Sequence, residues 1–179
     1  MQLTGYWAAK DAQVLMTRLQ LLDIHAHTRQ ARIVCLMSEP DVRLGGFPKR
    51  AIVGEPRVQG PWKGIFEAAI ADLCEPVVGL AGPEFVILIN AGMWSSSSKV
   101  DRERTIFHEL LHLQRKTDQF GVPRLHDDGR PQLQVVPHDV ESFSEEVARY
   151  GPDQAEAQFI AAAQNTSRRT GRRQRQRTA

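Results

Sequence analysis

The sequence has only two cysteines in 179 residues, Cys35 and Cys74, and they form no Cys-x-x-Cys pair. This spacing argues against a cysteine-based zinc site and against a disulfide framework. We expect both residues to be reduced, buried thiols, as in a protein of the cytosol. No run of eighteen apolar residues is present, so we expect no membrane-spanning helix. The N-terminus lacks a basic region followed by an apolar run, so no secretory signal is predicted.

Acidic residues are missing from the last twelve positions, which gives the charge an uneven distribution. The whole chain has a net charge of +2, from 23 basic and 21 acidic residues. Taking away the six arginines of this segment leaves 17 basic residues against 21 acidic ones. These arginines are Arg168, Arg169, Arg172, Arg173, Arg175 and Arg177. We therefore predict a domain over residues 1–164 and a disordered basic tail over 165–179, which could attract nucleic-acid phosphates or simply remain solvated.

The apolar pattern of the remaining chain predicts an α+β domain of ordinary globular composition. A long amphipathic helix is expected from Tyr6 to His27, with His25 and His27 at its C-terminal end. Its buried stripe is expected to consist of Val14, Leu15, Leu19, Leu22 and the nearby Met16. Buried strands are expected at 31–37, 50–53 and 85–90, and helical character at 65–73. A hairpin at 122–136 with an Asp-Asp-Gly turn, a helix ending at Tyr150 and a last helix over 153–164 complete the prediction.

The stretch His108-Glu109-Leu110-Leu111-His112 has the His-Glu-x-x-His pattern. On an α-helix, residues four apart lie on the same face, so two imidazoles at this spacing can bind one metal ion. Glu109 lies next to the first histidine and can take a proton from a water on that metal. The pattern therefore indicates a hydrolytic zinc site, while the competing interpretation is a buried helix with hydrogen-bonded core histidines.

The sequence around this motif is helical. Ser98, followed three residues later by Asp101, has the form of a capping box that begins a helix at Lys99. No glycine or proline occurs from Lys99 to Phe120, and Gly121 is the first residue expected to end the helix.

A catalytic zinc site needs a third protein ligand. The downstream candidates are His126, His138, Glu141 and the pair Glu145 and Glu146. We favour His138, because it follows Pro137 at the point where a returning hairpin would meet the metal-binding helix. Glu141 is its main competitor, since a carboxylate from the next helix can also complete such a site. His126 adjoins the hairpin turn, where we expect an exposed and mobile side chain.

These motifs together resemble the putative phage metallopeptidase family, small zincin-like domains from bacteriophages and prophages that are distantly similar to SprT-like proteases. The resemblance rests on the His-Glu-x-x-His run after Phe107, on 137–143 (Pro-His-Asp-Val-Glu-Ser-Phe) and on Tyr150-Gly151. It extends over roughly residues 6–151 and leaves out the tail. It implies one zinc ion held by His108, His112 and His138, with Glu109 as the catalytic acid/base. It also implies a three- to four-stranded sheet packed on the N-terminal and metal-binding helices, with a hairpin leading to C-terminal helices.

The expected function is zinc-dependent hydrolysis of peptide bonds in the cytoplasm of a bacterial host. Glu109 would accept a proton from water and pass it to the leaving amine. Strand 85–90 is expected to be an edge strand with which an extended peptide substrate pairs. Tyr150 and His126 are candidate stabilisers of the developing oxyanion.

One alternative is a non-catalytic, zinc-containing protein that associates with nucleic acid through its arginine-rich tail, although a structural zinc usually has four ligands that include cysteine. Peptide deformylases also have a His-Glu-x-x-His motif, but neither cysteine lies in their Gly-Cys-Leu context. A bacterial RNA-endonuclease type has glycine at the position of Glu109. A further alternative combines the two functions: a peptidase whose tail binds nucleic acid and thereby brings it to proteins that are bound there.

Overall fold

The computed structural model describes residues 5–44, 46–56, 74, 82–137, 143–152 and 157. The chain divides into two compact units, Met1–Asp139 and Val140–Ala179. Among the described residues, no helix is long and apolar enough to cross a membrane.

A mixed four-stranded sheet forms the centre of the first unit, with the strand order β1-β2-β6-β5. Its strands are β1 (Tyr6–Ala8), β2 (Ile33–Ser38), β5 (Ala51–Gly54) and β6 (Phe85–Asn90). β2 and β6 are parallel, and β1 and β5 flank them in antiparallel orientation. A short β3 (Arg43–Leu44) pairs with β4 (Phe47–Pro48) in a separate hairpin. This sheet with its helices confirms the α+β prediction and three of the predicted strands.

The two central strands are apolar on both faces, as expected for strands that are covered on each side. All six residues of β2 are buried, from Ile33 to Ser38. Cys35 contacts Met16 of the N-terminal helix on one face, with 3.8 Å between the two sulfur atoms. Val34 and Leu36 point to the other face, where they pack with Cys74. Both cysteines are thus buried thiols of the core, as predicted.

The N-terminal region is not one long helix. It consists of β1, the helix α1 (Lys10–Leu19) and a 3₁₀ helix over Asp23–Thr28. Tyr6 and Trp7 are good strand formers, and they pair with Ser38 and Met37 of β2, which outweighs the helical pattern that follows them. The buried residues of α1 are Ala12, Met16 and Leu19, so the predicted burial of Met16 and Leu19 is confirmed, whereas Val14 is 72% exposed and its predicted burial was wrong.

The metal-motif helix begins where the sequence predicts. After β6 come α2 (Ala91–Ser96) and α3 (Lys99–Leu111). The Ser98 Oγ accepts from the Asp101 backbone N–H at 3.1 Å, and the Asp101 carboxylate accepts from the Ser98 backbone N–H at 3.3 Å. The hydrogen bond from the Ser98 hydroxyl lowers the pKa of Asp101. This is the capping box, and it fixes the start of α3.

The end of α3 differs from the prediction. α3 stops at Leu111, and the chain continues as β7 (Leu113–Arg115), which pairs with β8 (Leu133–Val135) in antiparallel register. The absence of glycine and proline up to Phe120 did not prolong the helix, because the backbone gains ladder hydrogen bonds to β8 instead. The Asp-Asp-Gly turn lies at the other end of this hairpin, beyond the bridge between Leu125 and Pro131, and Gly129 has a φ of 81°.

The tip of the hairpin is anchored to the sheet by Glu84. Its carboxylate accepts from Arg130 Nη1 at 2.9 Å and from the Arg32 backbone N–H at 2.9 Å. Arg130 also donates to the Gln30 carbonyl at 3.1 Å. This half-buried ion pair joins the tip to the segments that precede β2 and β6.

The second unit contains α4 (Ser144–Tyr150). Gly151 follows it with a φ of 78°, a conformation that suits glycine and ends the helix as predicted. The expected helices at 65–73 and 153–164 fall wholly or mostly outside the described residues.

Candidate metal centre

The helix α3 presents the His-Glu-x-x-His motif at its C-terminal end. Ile106, Phe107, Leu110 and Leu111 are buried and hold the helix against α1 and the sheet. His108 and His112 are half-buried, whereas Glu109 is only 4% exposed. The two imidazoles therefore lie at the border of the apolar face, which is less consistent with core histidines than with ligands facing a cleft.

The two imidazole rings have a separation that suits one metal ion. Their centroids are 5.0 Å apart and their planes are inclined by 78°. Two imidazoles that bind one tetrahedral zinc ion through nitrogens about 2.1 Å from the metal have ring centres roughly 5 Å apart. The residues therefore fit a zinc ion in both distance and donor type.

A backbone carbonyl fixes the tautomer of His112. The His112 Nδ1 lies 2.6 Å from the Val136 carbonyl oxygen, so Nδ1 carries the proton and donates it. In a neutral imidazole this leaves the lone pair on Nε2, the nitrogen that a metal would bind. Metal-binding histidines commonly have such an outer partner, which orients the ring and raises its basicity.

This hydrogen bond follows from the change from helix to strand at His112. The Val136 N–H donates to the His112 carbonyl at 2.8 Å, as in a hydrogen-bonded pair of an antiparallel ladder. The return bond would use the His112 backbone N–H, but that group still points to the Leu110 carbonyl of the helix. The imidazole Nδ1–H takes its place. The position of β8 thus sets the orientation of His112.

Glu109 lies in a low-dielectric environment close to β2. Burial raises the pKa of the Cys35 thiol, and the negative charges of Asp11 and Glu109 add smaller effects in the same direction. Cys35 therefore stays protonated at neutral pH and is unsuited to be a nucleophile or a metal ligand. Glu109 is shielded from bulk water, as expected of a carboxylate that acts within a closed site.

His126 lies at the tip of the hairpin. Its Nε2 is 3.7 Å from the Glu84 carboxylate, and its side chain is 40% exposed. The paired segment between it and His112 includes the bridge from Leu125 to Pro131 and the ladder up to Val135. Four residues of strand correspond to about 13 Å. His126 is therefore placed with the Glu84 cluster, at the end of the hairpin opposite His112.

Three candidate site residues of the second unit are described: Tyr150, Glu145 and Glu146. The Tyr150 hydroxyl accepts from Arg149 Nε at 3.1 Å. Glu146 is 5% exposed, whereas Glu145 is exposed. Within the pair Glu145 and Glu146, Glu146 is thus the one with a protected carboxylate.

The remaining site predictions lie outside the described residues. These are the third-ligand candidates His138 and Glu141, and the tail arginines from Arg168 to Arg177. Within the described part of the chain, no group of three His, Cys, Asp or Glu residues is arranged to hold a metal ion. The described site therefore consists of His108, His112 and Glu109.

Two contacts of the motif segment could not be found from a sequence motif. Val136 contributes only its backbone carbonyl, which any residue could supply. The His27 ring contacts the Leu113 carbonyl, whereas its place in the sequence indicated a helix-end role. Both contacts join segments that are far apart in the sequence, so a local pattern could not reveal them.

Comparison with protein families matches residues 6–164 to the family described as Putative phage metallopeptidase. The chain belongs to this family. Neither curated proteins nor solved structures gave a match. Membership of the phage metallopeptidase family supports a metallopeptidase in general and implies a metal cofactor, in agreement with the paired histidines of α3. It also confirms the resemblance that the motifs indicate.

Proposed function

We propose that this chain is a zinc-dependent peptidase in which His108, His112 and His138 bind one zinc ion and Glu109 is the general base. The observation that carries the proposal is the geometry of the two half-buried imidazoles, 5.0 Å apart on one helical turn, with Nδ1 of His112 committed to Val136. Two residues held in this way need only one further protein ligand to make an open catalytic zinc site.

The hydrogen bonds between His112 and Val136, the residue after β8, favour His138 as the third ligand. Val136 is hydrogen-bonded to His112 in both directions, and His138 is two residues further along the chain. Covalent geometry keeps its Cα within about 7 Å of the Val136 Cα. The reach to Glu141, five residues from Val136, is looser at up to about 18 Å.

The residues of this chain would share the chemistry as follows. Zinc, when bound, would supply Lewis acidity, which makes water acidic enough to lose a proton near neutral pH. Glu109 would accept that proton in its buried position and return it to the amine that leaves as the peptide bond breaks. His112 would keep its Nδ1 proton throughout, because the Val136 carbonyl requires a donor.

The place where a substrate pairs needs correction. Strand β6 was expected to be an edge, but it lies between β2 and β5, and both its sides are paired. Among the described strands, β5 is the outer strand that also contacts α3. We assign the pairing of an extended peptide to β5 instead.

The expected substrate is therefore protein or peptide, and we place the activity in a phage or prophage setting within the bacterial cytoplasm. The six tail arginines would add attraction to nucleic acid, which could bring the peptidase to bound proteins. The alternative is a non-catalytic zinc protein with the same tail, which would bind zinc without cleaving peptides.

The proposal is tested by incubating the zinc-loaded, full-length chain with a complex peptide mixture and identifying new termini by mass spectrometry. We expect cleavages that a chelator abolishes and that about one equivalent of zinc restores. Cleavage that persists unchanged in excess chelator would reject the metal-dependent mechanism. A zinc-loaded chain that produces no new termini would favour the non-catalytic alternative.

A further inference from the structure

The 3₁₀ helix Asp23–Thr28 contacts both ends of the metal-binding motif. His25 is fully buried, and its ring packs edge-on against Phe107, with 4.6 Å between the ring centroids. His27 Nε2 donates to the Leu113 carbonyl at 2.5 Å. Phe107 immediately precedes His108, and Leu113 immediately follows His112. The two histidines thus hold the residues on either side of the motif.

His27 donates a hydrogen bond to the Leu113 carbonyl, which forms no hydrogen bond with β8. In an antiparallel ladder, hydrogen-bonded and non-hydrogen-bonded pairs alternate. Since His112 and Val136 form a hydrogen-bonded pair, Leu113 and Val135 form the next, non-hydrogen-bonded one. The Leu113 carbonyl therefore points away from β8. Leu113 is fully buried, so this carbonyl needs a protein donor, and His27 supplies it.

The 3₁₀ helix is itself held firmly. Arg29 donates to the carbonyls of Gln20 and Leu21, both at 2.7 Å. The Gln20 side chain donates to the Thr28 carbonyl at 2.8 Å, and the Thr28 hydroxyl donates to the His25 carbonyl at 2.8 Å. His27 is therefore presented from a fixed support that belongs to the N-terminal region.

We infer that His27 is a positioning residue for the metal centre: its hydrogen bond to the Leu113 carbonyl fixes the change from helix to strand that orients His112. The inference rests on the proposed function, because it assigns to His27 an effect on zinc binding. β7 is held between β8 on one side and His27 on the other. Loss of the His27 bond lets this junction shift, and the hydrogen bond from His112 to Val136 shifts with it. Groups that orient a metal ligand typically affect metal affinity by about 10- to 100-fold.

The test compares two substitutions of similar size, His27→Gln and His27→Met, in the full-length chain. Glutamine keeps an N–H donor, whereas methionine has none. We expect His27→Met to weaken zinc binding about tenfold, measured by competition with a chromophoric chelator, and to alter the visible spectrum of the cobalt-substituted protein. We expect His27→Gln to remain close to wild type in both measurements.

Ser38→Ala is the control for stability. Ser38 is buried and its hydroxyl donates to the Pro40 carbonyl at 2.7 Å, a contact that involves neither the 3₁₀ helix nor α3 nor β7. This substitution is therefore expected to lower the melting temperature and to leave zinc affinity unchanged. Wild-type zinc affinity and spectrum in His27→Met would overturn the inference alone. So would an equal loss of affinity in His27→Gln, or a loss of affinity in Ser38→Ala, which would mean that zinc binding simply follows stability. A wild-type chain that binds no zinc would overturn the proposed function, and the inference with it.

Discussion

Glu109→Gln is expected to lower peptide turnover roughly 10²- to 10⁴-fold, the contribution typical of general acid–base catalysis. The glutamine amide is nearly isosteric with the carboxylate but cannot accept the proton of the attacking water at neutral pH. Glu109 is 4% exposed, so bulk solvent cannot easily replace it as the base. The expected loss lies in kcat, while zinc affinity is kept, since His108 and His112 are unchanged.

The matched control for this variant is Glu103→Gln on the same helix. Glu103 pairs with Arg18 at 2.8 Å on the surface of the first unit. Surface ion pairs contribute at most about 1 kcal/mol to stability, so Glu103→Gln is expected to retain wild-type turnover. Rates are compared on one peptide identified from the mixture, with the zinc content of each preparation measured beside them. Turnover of Glu109→Gln equal to that of Glu103→Gln would exclude Glu109 as the base.

The second large effect concerns the third ligand. His138→Ala is expected to weaken zinc binding by more than about 100-fold, because losing a ligand costs more than losing the outer partner of a ligand. Glu141→Ala is expected to bind zinc like the wild type. Competition with a chelator, on the full-length variants, measures both affinities.

Glu146→Gln belongs in the same series, because Glu146 is the protected member of the downstream glutamate pair. Under the proposed assignment it also keeps wild-type zinc affinity. Loss of zinc only in the Glu141 variant, or only in the Glu146 variant, would replace His138 by that carboxylate. The three variants together thus distinguish His138 from these two carboxylates as the third ligand.

The parts of the fold that the sequence predicts well have local causes. The α3 start follows from Ser98 and Asp101, which satisfy each other's backbone groups without help from the rest of the chain. Strand β6 lies at 85–90 as predicted, since its apolar run is short and rich in β-branched and aromatic residues, which favour a strand over a helix. The motif residues could be predicted without knowledge of the fold, because the spacing of His108 and His112 places them on one face of a helix.

The parts that the sequence does not predict depend on partners far along the chain. α3 ends at Leu111 because β7 finds β8 about twenty residues later, and no local stop signal marks that position. Strand β1 forms because Tyr6 and Trp7 meet β2. The edge assigned to β6 was wrong because strand order is a property of the whole sheet. The orientation of His112 has the same origin, since Val136 reaches it only when the hairpin closes.

The central claim, that the motif helix holds a catalytic zinc ion, is tested most directly by the zinc content of the purified full-length chain beside the double variant His108→Ala/His112→Ala. The account predicts one zinc ion per wild-type chain and none in the double variant, with both proteins folded by circular dichroism. Equal zinc in the two proteins would place any bound metal elsewhere, and a wild-type chain that stays metal-free in excess zinc would contradict the account.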